Sequence, residues 1–103
     1  MTSRLEALKD LLAHTPDDPE LHYLIAQEHF SAGHHAECIR EMELYLSHAD
    51  DEGAAYRTLA RSYEALGKRE KARQAYAAGV TAARTHNHPG MAQEFEEILR
   101  DWE

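Results

Sequence analysis

Residues 19–48, PELHYLIAQEHFSAGHHAECIREMELYLSH, decide the fold of this 103-residue chain, because their pattern returns 34 residues later. Residues 53–82 read GAAYRTLARSYEALGKREKARQAYAAGVTA. Positions that match at this offset share size and polarity: Gly33 with Gly67, Ala26 with Ala60, Ile25 with Leu59, Cys38 with Ala72, Met42 with Tyr76, and Leu46 with Val80. Self-similarity at a fixed period of this length indicates a repeat architecture.

Small residues recur where two antiparallel helices of one copy would cross. Ala26 and Ala60 supply a small side chain on the first helix of each copy, and Cys38 and Ala72 supply one on the second. Close approach of two helix axes requires small side chains at the crossing and larger ones where the axes diverge. Because one helix pair cannot bury its apolar side alone, the copies are expected to stack.

Helix start and stop signals divide the chain into segments. The starts are Ser3 with Glu6 as a capping box, Asp18 with Pro19, Asp50 to Glu52, and Asn87 to Pro89. Gly33 and Gly67 suit the left-handed conformation that ends a helix. No window of four or more residues alternates convincingly between apolar and polar, so no sheet is predicted. We expect one domain over residues 1–103, with an N-terminal helix at 3–14, a first full repeat at 19–48, a second at 53–85, and a closing helix at 89–102.

The pattern resembles the tetratricopeptide repeat (TPR) family, in the form of a small bacterial-type protein. In one copy the resemblance is carried by His22, Ile25, Ala26, His29, Gly33, Cys38 and Met42; in the next it is carried by Tyr56, Leu59, Ala60, Tyr63, Gly67, Ala72 and Tyr76. It implies an all-α fold, a right-handed α-solenoid of antiparallel helix pairs with about six helices. His22 and His29 stand where the family usually has aromatic or bulky apolar residues, and Gly79 stands where Ala or another small residue is common.

The resemblance also implies a binding surface. In the family, the first helix of each pair lines a concave groove that binds an extended peptide or a partner helix. The predicted groove residues are Tyr23, Gln27 and Phe30 on the second helix, and Arg57, Arg61 and Glu64 on the fourth. We expect the two arginines to hold a carboxylate or an acidic side chain of the partner. The alternative for Arg61 and Glu64 is a surface ion pair, worth at most a few tenths of a kcal/mol.

The predicted function is therefore that of a non-catalytic protein–protein interaction module. No Gly-rich phosphate loop, nucleophile elbow or metalloprotease signature is present, so we predict no enzyme, no catalytic residue and no cofactor. The alternative is a self-associating helical scaffold, a homodimer through the C-terminal helix. That helix has a broad apolar side, formed by Met91, Phe95, Ile98, Leu99 and Trp102. We expect a monomer or a weak homodimer.

Eight histidines raise the question of a metal site. His34-His35 and the pair His86 and His88 each lack the three or four convergent ligands of a zinc site, so no metal is predicted. His22 and His29 lie seven residues apart on one helix face, as partly buried and hydrogen-bonded substitutes for aromatic residues. We expect His22 or His29 to titrate below a free histidine, because burial disfavours the cation. Cys38 is expected to be a small core residue rather than a nucleophile.

Charge and composition limit the partners and the compartment. Eleven Lys and Arg against 19 Asp and Glu give a formal net charge of −8, which disfavours nucleic acid and anionic lipid as partners. The segment MTSRLEALKDLL carries charges among its leucines and does not resemble a signal peptide. No stretch approaches the roughly 18 apolar residues of a spanning helix. With a single cysteine, a reduced, cytoplasmic setting is expected, with no membrane partner.

Overall fold

Six α-helices lie within residues 3–102, the part of the chain that the structure, a computed structural model, describes. They span Arg4–His14 (α1), Pro19–Ser31 (α2), His35–His48 (α3), Ala54–Ala65 (α4), Arg69–Thr85 (α5) and Pro89–Asp101 (α6). No strand occurs in these residues, which confirms the prediction of an all-α fold with about six helices. None of the six helices combines the length and the apolar character that a membrane crossing requires.

The chain divides into two units, of which the first ends at Ala49 and the second begins at Asp50. In unit 1, α2 packs against both α1 and α3; in unit 2, α5 packs against both α4 and α6. Three-residue turns join α2 to α3 and α4 to α5, so the helices of each pair run antiparallel. The expectation of one domain over residues 1–103 stays a prediction.

Side chains that the sequence marks as caps bind the first amides of three helices. Ser3 Oγ accepts a hydrogen bond from the amide of Glu6 at 3.1 Å, and Asp18 Oδ1 accepts one from the amide of Glu20 at 3.0 Å. Asp51 Oδ2 accepts hydrogen bonds from the amides of Gly53 at 2.8 Å and Ala55 at 3.0 Å. These bonds satisfy backbone donors that have no partner inside the helix, which fixes where α1, α2 and α4 begin.

The turns after α2 and α4 have the same backbone conformation, 34 residues apart. Gly33 has φ +80° and Gly67 has φ +73°, in the left-handed region that glycine adopts without a side-chain clash. In each turn, the amide after the glycine donates to the carbonyl five residues earlier, at 2.8 Å for His34 and 2.9 Å for Lys68. This is the hydrogen-bond pattern of a Schellman motif. The repeat that the sequence indicates is therefore present in the backbone of both turns.

The small residues that the sequence predicts at the helix crossings are fully buried. Ala26 and Cys38 in unit 1 and Ala60 and Ala72 in unit 2 all have an exposed fraction of 0%. Cys38 is a free thiol in this core, as expected for a small packing residue. A larger side chain at any of the four positions would push the two helices of a pair apart.

Gly79 is explained by the packing of α6 on α5. A Cβ atom at this position would lie 2.7 Å from Cε2 of Phe95 and 3.1 Å from Cβ of Tyr56. The Phe95 ring is fully buried, so it has little room to move aside. Position 79 is glycine rather than alanine because the Phe95 ring of α6 lies directly on the backbone of α5.

We predict that Ala60→Leu destabilises the chain by about 1–3 kcal/mol, because it overpacks a fully buried helix crossing. Chemical denaturation followed by circular dichroism measures this change. Ala65→Leu, at the exposed end of the same helix, is the matched control and is expected to leave the free energy of unfolding nearly unchanged. Equal stability of the two variants would show that Ala60 does not lie at a close helix crossing.

Candidate functional site

Arg57, the first predicted groove arginine, binds a carboxylate of its own chain. Its Nε and Nη2 donate to Oε2 and Oε1 of Glu94 in α6, both at 2.8 Å. Its guanidinium carbon also lies 5.4 Å from the ring centroid of Phe95. The hydrogen bond from Arg57, together with the arginine's charge, lowers the pKa of Glu94. Arg57 therefore has a structural contact between α4 and α6, in addition to any role toward a partner.

Glu64 and Arg61 lie near the buried phenol of Tyr76. The Tyr76 hydroxyl donates to Oε2 of Glu64 at 2.7 Å. Burial and this hydrogen bond raise the pKa of Tyr76 to about 12, while the charge of nearby Arg61 opposes the rise. The same charge contributes to the low pKa of Glu94, so Arg61 lies near both groups. The Arg61 side chain itself is exposed at the surface of α4.

A surface cavity of about 250 Å³ lies beside these residues in unit 2. Glu64, Gly67, Arg69 and Trp102 line it. The guanidinium carbon of Arg69 lies 4.8 Å from the Trp102 ring centroid, a cation–π contact. Trp102 also packs edge-on against Tyr76 at 5.5 Å between centroids. The cavity thus combines one carboxylate, one guanidinium and one aromatic wall, and we call its lining together with Arg57 and Arg61 the α4–α6 surface.

Sequence reasoning did not assign Arg69 or Trp102 to the binding site. Trp102 was assigned to the apolar side of the closing helix, and Arg69 carried no signal in the repeat pattern. The packing of α6 on α5 brings the end of the chain back to the start of α5. No spacing rule within either helix could have placed these two residues together.

The predicted groove residues of unit 1 share one side of α2 and contact α3. The Tyr23 ring lies 5.0 Å from the ring of Tyr45, at an angle of 55°. The Phe30 ring lies 5.5 Å from that of His35, at 74°. Both aromatic side chains, and Gln27 between them, are half-buried. Tyr23 and Phe30 therefore pack against α3, and part of each side chain stays accessible to solvent.

The six predicted groove residues divide between the two units. Tyr23, Gln27 and Phe30 belong to unit 1, and the set of Arg57, Arg61 and Glu64 belongs to unit 2. Within unit 2, the structure brings the second set together with α6. A groove lined by both sets stays a prediction.

His22 makes two hydrogen bonds in the core of unit 1. Its Nδ1 faces Oε2 of Glu41 at 2.5 Å, and its Nε2 faces the carbonyl of Pro16 at 2.9 Å. Because a carbonyl and an ionised carboxylate only accept, a protonated His22 ring can donate to both acceptors at once. Burial by itself would lower the pKa of His22, but the hydrogen bonds and the charge of Glu41 outweigh it and raise the pKa. Of the two histidines named in the expectation of a lowered pKa, His22 is not the one that meets it, because the carboxylate of Glu41 lies against its ring.

His29 follows the expectation. Burial, together with the positive charge of Lys9, lowers the pKa of His29. Its Nδ1 lies 3.3 Å from Nδ1 of His34, and a carboxylate oxygen of Glu37 lies within 4.8 Å of a ring nitrogen of each histidine. Sequence reasoning considered His34 only with its neighbour His35 and so missed this group. The available signal was the spacing of the three residues across the Gly33 turn, which reverses the chain between them.

Comparison with known proteins supports the all-helical fold and assigns no function to the chain. No protein-family model matches the chain, and no curated protein matches it. The solution structure of protein BPP2914 from Bordetella parapertussis is similar, with a TM-score of 0.82 and 22% sequence identity over 98% of this chain and 88% of that one. The likeness is one of fold alone.

We predict that an NMR titration of the histidines gives a pKa above 6.5 for His22 and a pKa below 6.5 for His29. Because folding raises the pKa of His22, protonation of His22 stabilises the folded chain fully at pH values below the pKa of the unfolded chain, near 6.5. The effect is lost as the pH rises through the folded value.

Glu41→Gln removes the acceptor charge and is expected to lower the His22 pKa and to flatten this pH dependence. Glu20→Gln, an exposed change on α2, is the control and should leave the His22 pKa in place. An unchanged His22 titration in Glu41→Gln would contradict the assigned ion pair.

Proposed function

We propose that this chain is a non-catalytic protein-interaction module of the TPR type, which binds a peptide or a partner helix bearing an acidic side chain or a terminal carboxylate. In this proposal, α2–α3 and α4–α5 are repeats of a right-handed α-solenoid, α1 is the remaining helix of an earlier copy, and α6 closes the array. A cytoplasmic location is part of the same proposal.

The repeat assignment is supported by features that recur in both pairs. The left-handed glycine turns recur with the same hydrogen bonds, and the residues at the helix crossings are fully buried in both copies. The bulky positions agree as well, since Met42 and its counterpart Tyr76 have exposed fractions of 0% and 2%. Two helix pairs with the same turn and the same crossing residues are typical of repeat proteins.

The binding assignment is carried by the α4–α6 surface of unit 2. Arg61 is exposed on α4, and the cavity beside it is lined by Arg69 and Trp102. Arginine and tryptophan are the residue types enriched where protein partners gain most of their binding energy. A guanidinium group also binds a carboxylate with a fixed geometry.

The size of the cavity favours a peptide over a small-molecule ligand. Its volume of about 250 Å³ is below the roughly 300–1,000 Å³ typical of small-molecule sites. It is sufficient for one side chain or the end of a peptide. Glu64 on its wall would repel an acidic group that entered too deeply, so we expect the partner's carboxylate to bind at Arg61 or Arg69 near the rim.

Self-association through α6 has less support. Phe95, the central apolar residue of that helix, is fully buried, and Trp102 packs on Tyr76 and Arg69 within unit 2. Much of the apolar side that would form a homodimer is therefore covered by the chain's own helices.

Peptide display tests the proposal, with a library that contains acidic internal segments and free C-terminal carboxylates. We expect acidic or carboxylate-ended peptides to be retained. Arg61→Ala should weaken their affinity about 10-fold or more, since a hydrogen bond to a charged group contributes about 1.5–3 kcal/mol. Isothermal titration measures the affinity.

Arg61→Ala is preferred to Arg57→Ala, because loss of Arg57 would also leave Glu94 without its ion-pair partner. Arg40→Ala, which removes an exposed arginine from α3 in unit 1, is the matched control and should bind as the parent chain does. Retention of no peptide, or equal affinity of the Arg61 and Arg40 variants, would exclude this surface as the binding site.

A further inference from the structure

The turn between α2 and α3 brings together two imidazoles and a carboxylate. His29 comes from the last turn of α2, His34 from the residue before α3, and Glu37 from the first turn of α3. Their ligand atoms lie within 4.8 Å of one another. His29 is buried, Glu37 is half-buried and His34 is exposed, so the group opens to solvent on one side.

The separation of the two imidazole nitrogens matches that of ligands on one metal ion. The two Nδ1 atoms are 3.3 Å apart. Two nitrogens bound at about 2.0–2.1 Å to a tetrahedral zinc ion are about 3.3 Å apart. The same separation also lies within hydrogen-bond reach of the two rings, and the metal titration below separates the two arrangements.

We propose that His29 Nδ1, His34 Nδ1 and the Glu37 carboxylate bind one divalent transition-metal ion of the Zn²⁺ class, with a further coordination position open to solvent. Two imidazoles and one carboxylate are a common ligand set for such ions. Coordination would require a rotation of the Glu37 side chain, because its oxygen now lies within 4.8 Å of the other ligand atoms rather than at bonding distance from a shared ion.

The second repeat shows that these positions meet because of the fold. Thirty-four residues after His29 and Glu37 stand Tyr63 and Lys71. The Lys71 ammonium lies 5.9 Å from the centroid of the Tyr63 ring. The same two repeat positions therefore lie close together in both units, with ligand atoms within 4.8 Å in unit 1 and a cation–π contact in unit 2.

The charged side chains near His29, His34 and Glu37 have opposing effects on the binding of a cation. Lys9 on α1 lies close enough for its charge to act on His29 and disfavours a bound cation, whereas Glu37 and Glu41 favour it. Burial lowers the pKa of His29 and so favours its neutral form, which is the form that binds a metal ion.

Bound metal would tie the end of α2 to the start of α3. Because such an ion binds the folded chain and not the separated ligands, it raises the temperature of unfolding in a concentration-dependent way. This site lies in unit 1 and the proposed peptide surface lies in unit 2, so either proposal can fail without the other.

Titration of the full chain with Zn²⁺ alone tests the proposal, by calorimetry and by histidine NMR. We expect one ion per chain, with the largest ring shifts at His29 and His34. Co²⁺ should give the visible absorption of a low-coordinate site. His34→Ala and Glu37→Gln should each weaken Zn²⁺ binding at least about 10-fold. Mutation of a residue that only hydrogen-bonds to a metal ligand already weakens metal affinity by about 10–100-fold.

His48→Ala is the matched control, because it removes an exposed histidine from the other end of α3. It should bind Zn²⁺ as the parent chain does. Far-UV circular dichroism checks that each variant is folded, and His29 itself is left intact because it is buried. Zn²⁺ binding that falls equally in the His34 and His48 variants, or that leaves the rings of His29 and His34 unshifted, would overturn the proposal.

Discussion

The close crossing of the two helices within each pair is the constraint on which the remaining structure depends. It requires side chains no larger than alanine or cysteine at four positions, and the exposed fraction at all four is 0%. It also requires a turn short enough to reverse the chain within three residues, which the left-handed glycines permit. The positions of the functional side chains follow from this crossing, because it fixes the rotation of each helix about its own axis.

The two copies meet this constraint with different chemistry at matching positions. His22 and Glu41 form an ion pair in the first copy, and their counterparts in the second are Tyr56 and the buried Ala75. Tyr56 and Ala75 line one surface pocket of unit 2. Burial of the charged pair is tolerated because both ring nitrogens of His22 have an acceptor. The contact between His22 and Glu41 makes the stability of unit 1 sensitive to pH.

In unit 2, the candidate binding surface depends on α6. The bidentate contact between Arg57 and Glu94 joins α4 to α6, and Phe95 fills the space that Gly79 leaves on α5. These contacts hold the end of the chain beside α5, so that Trp102 can form the wall of the cavity next to Arg69. Loss of the aromatic packing at Phe95 would therefore disturb the cavity as well as the core.

The sequence by itself determined the helical class, the helix starts and the turns, because caps, glycines and apolar spacing act over a few residues. It also placed Ala60 and Cys38 in the core and Arg61 on the surface. Only the tertiary structure decided the charge of His22, the ion pair of Arg57, and the meeting of His29 with Glu37. Each of these depends on a side chain from another helix, whose rotation and approach are set by packing rather than by local spacing.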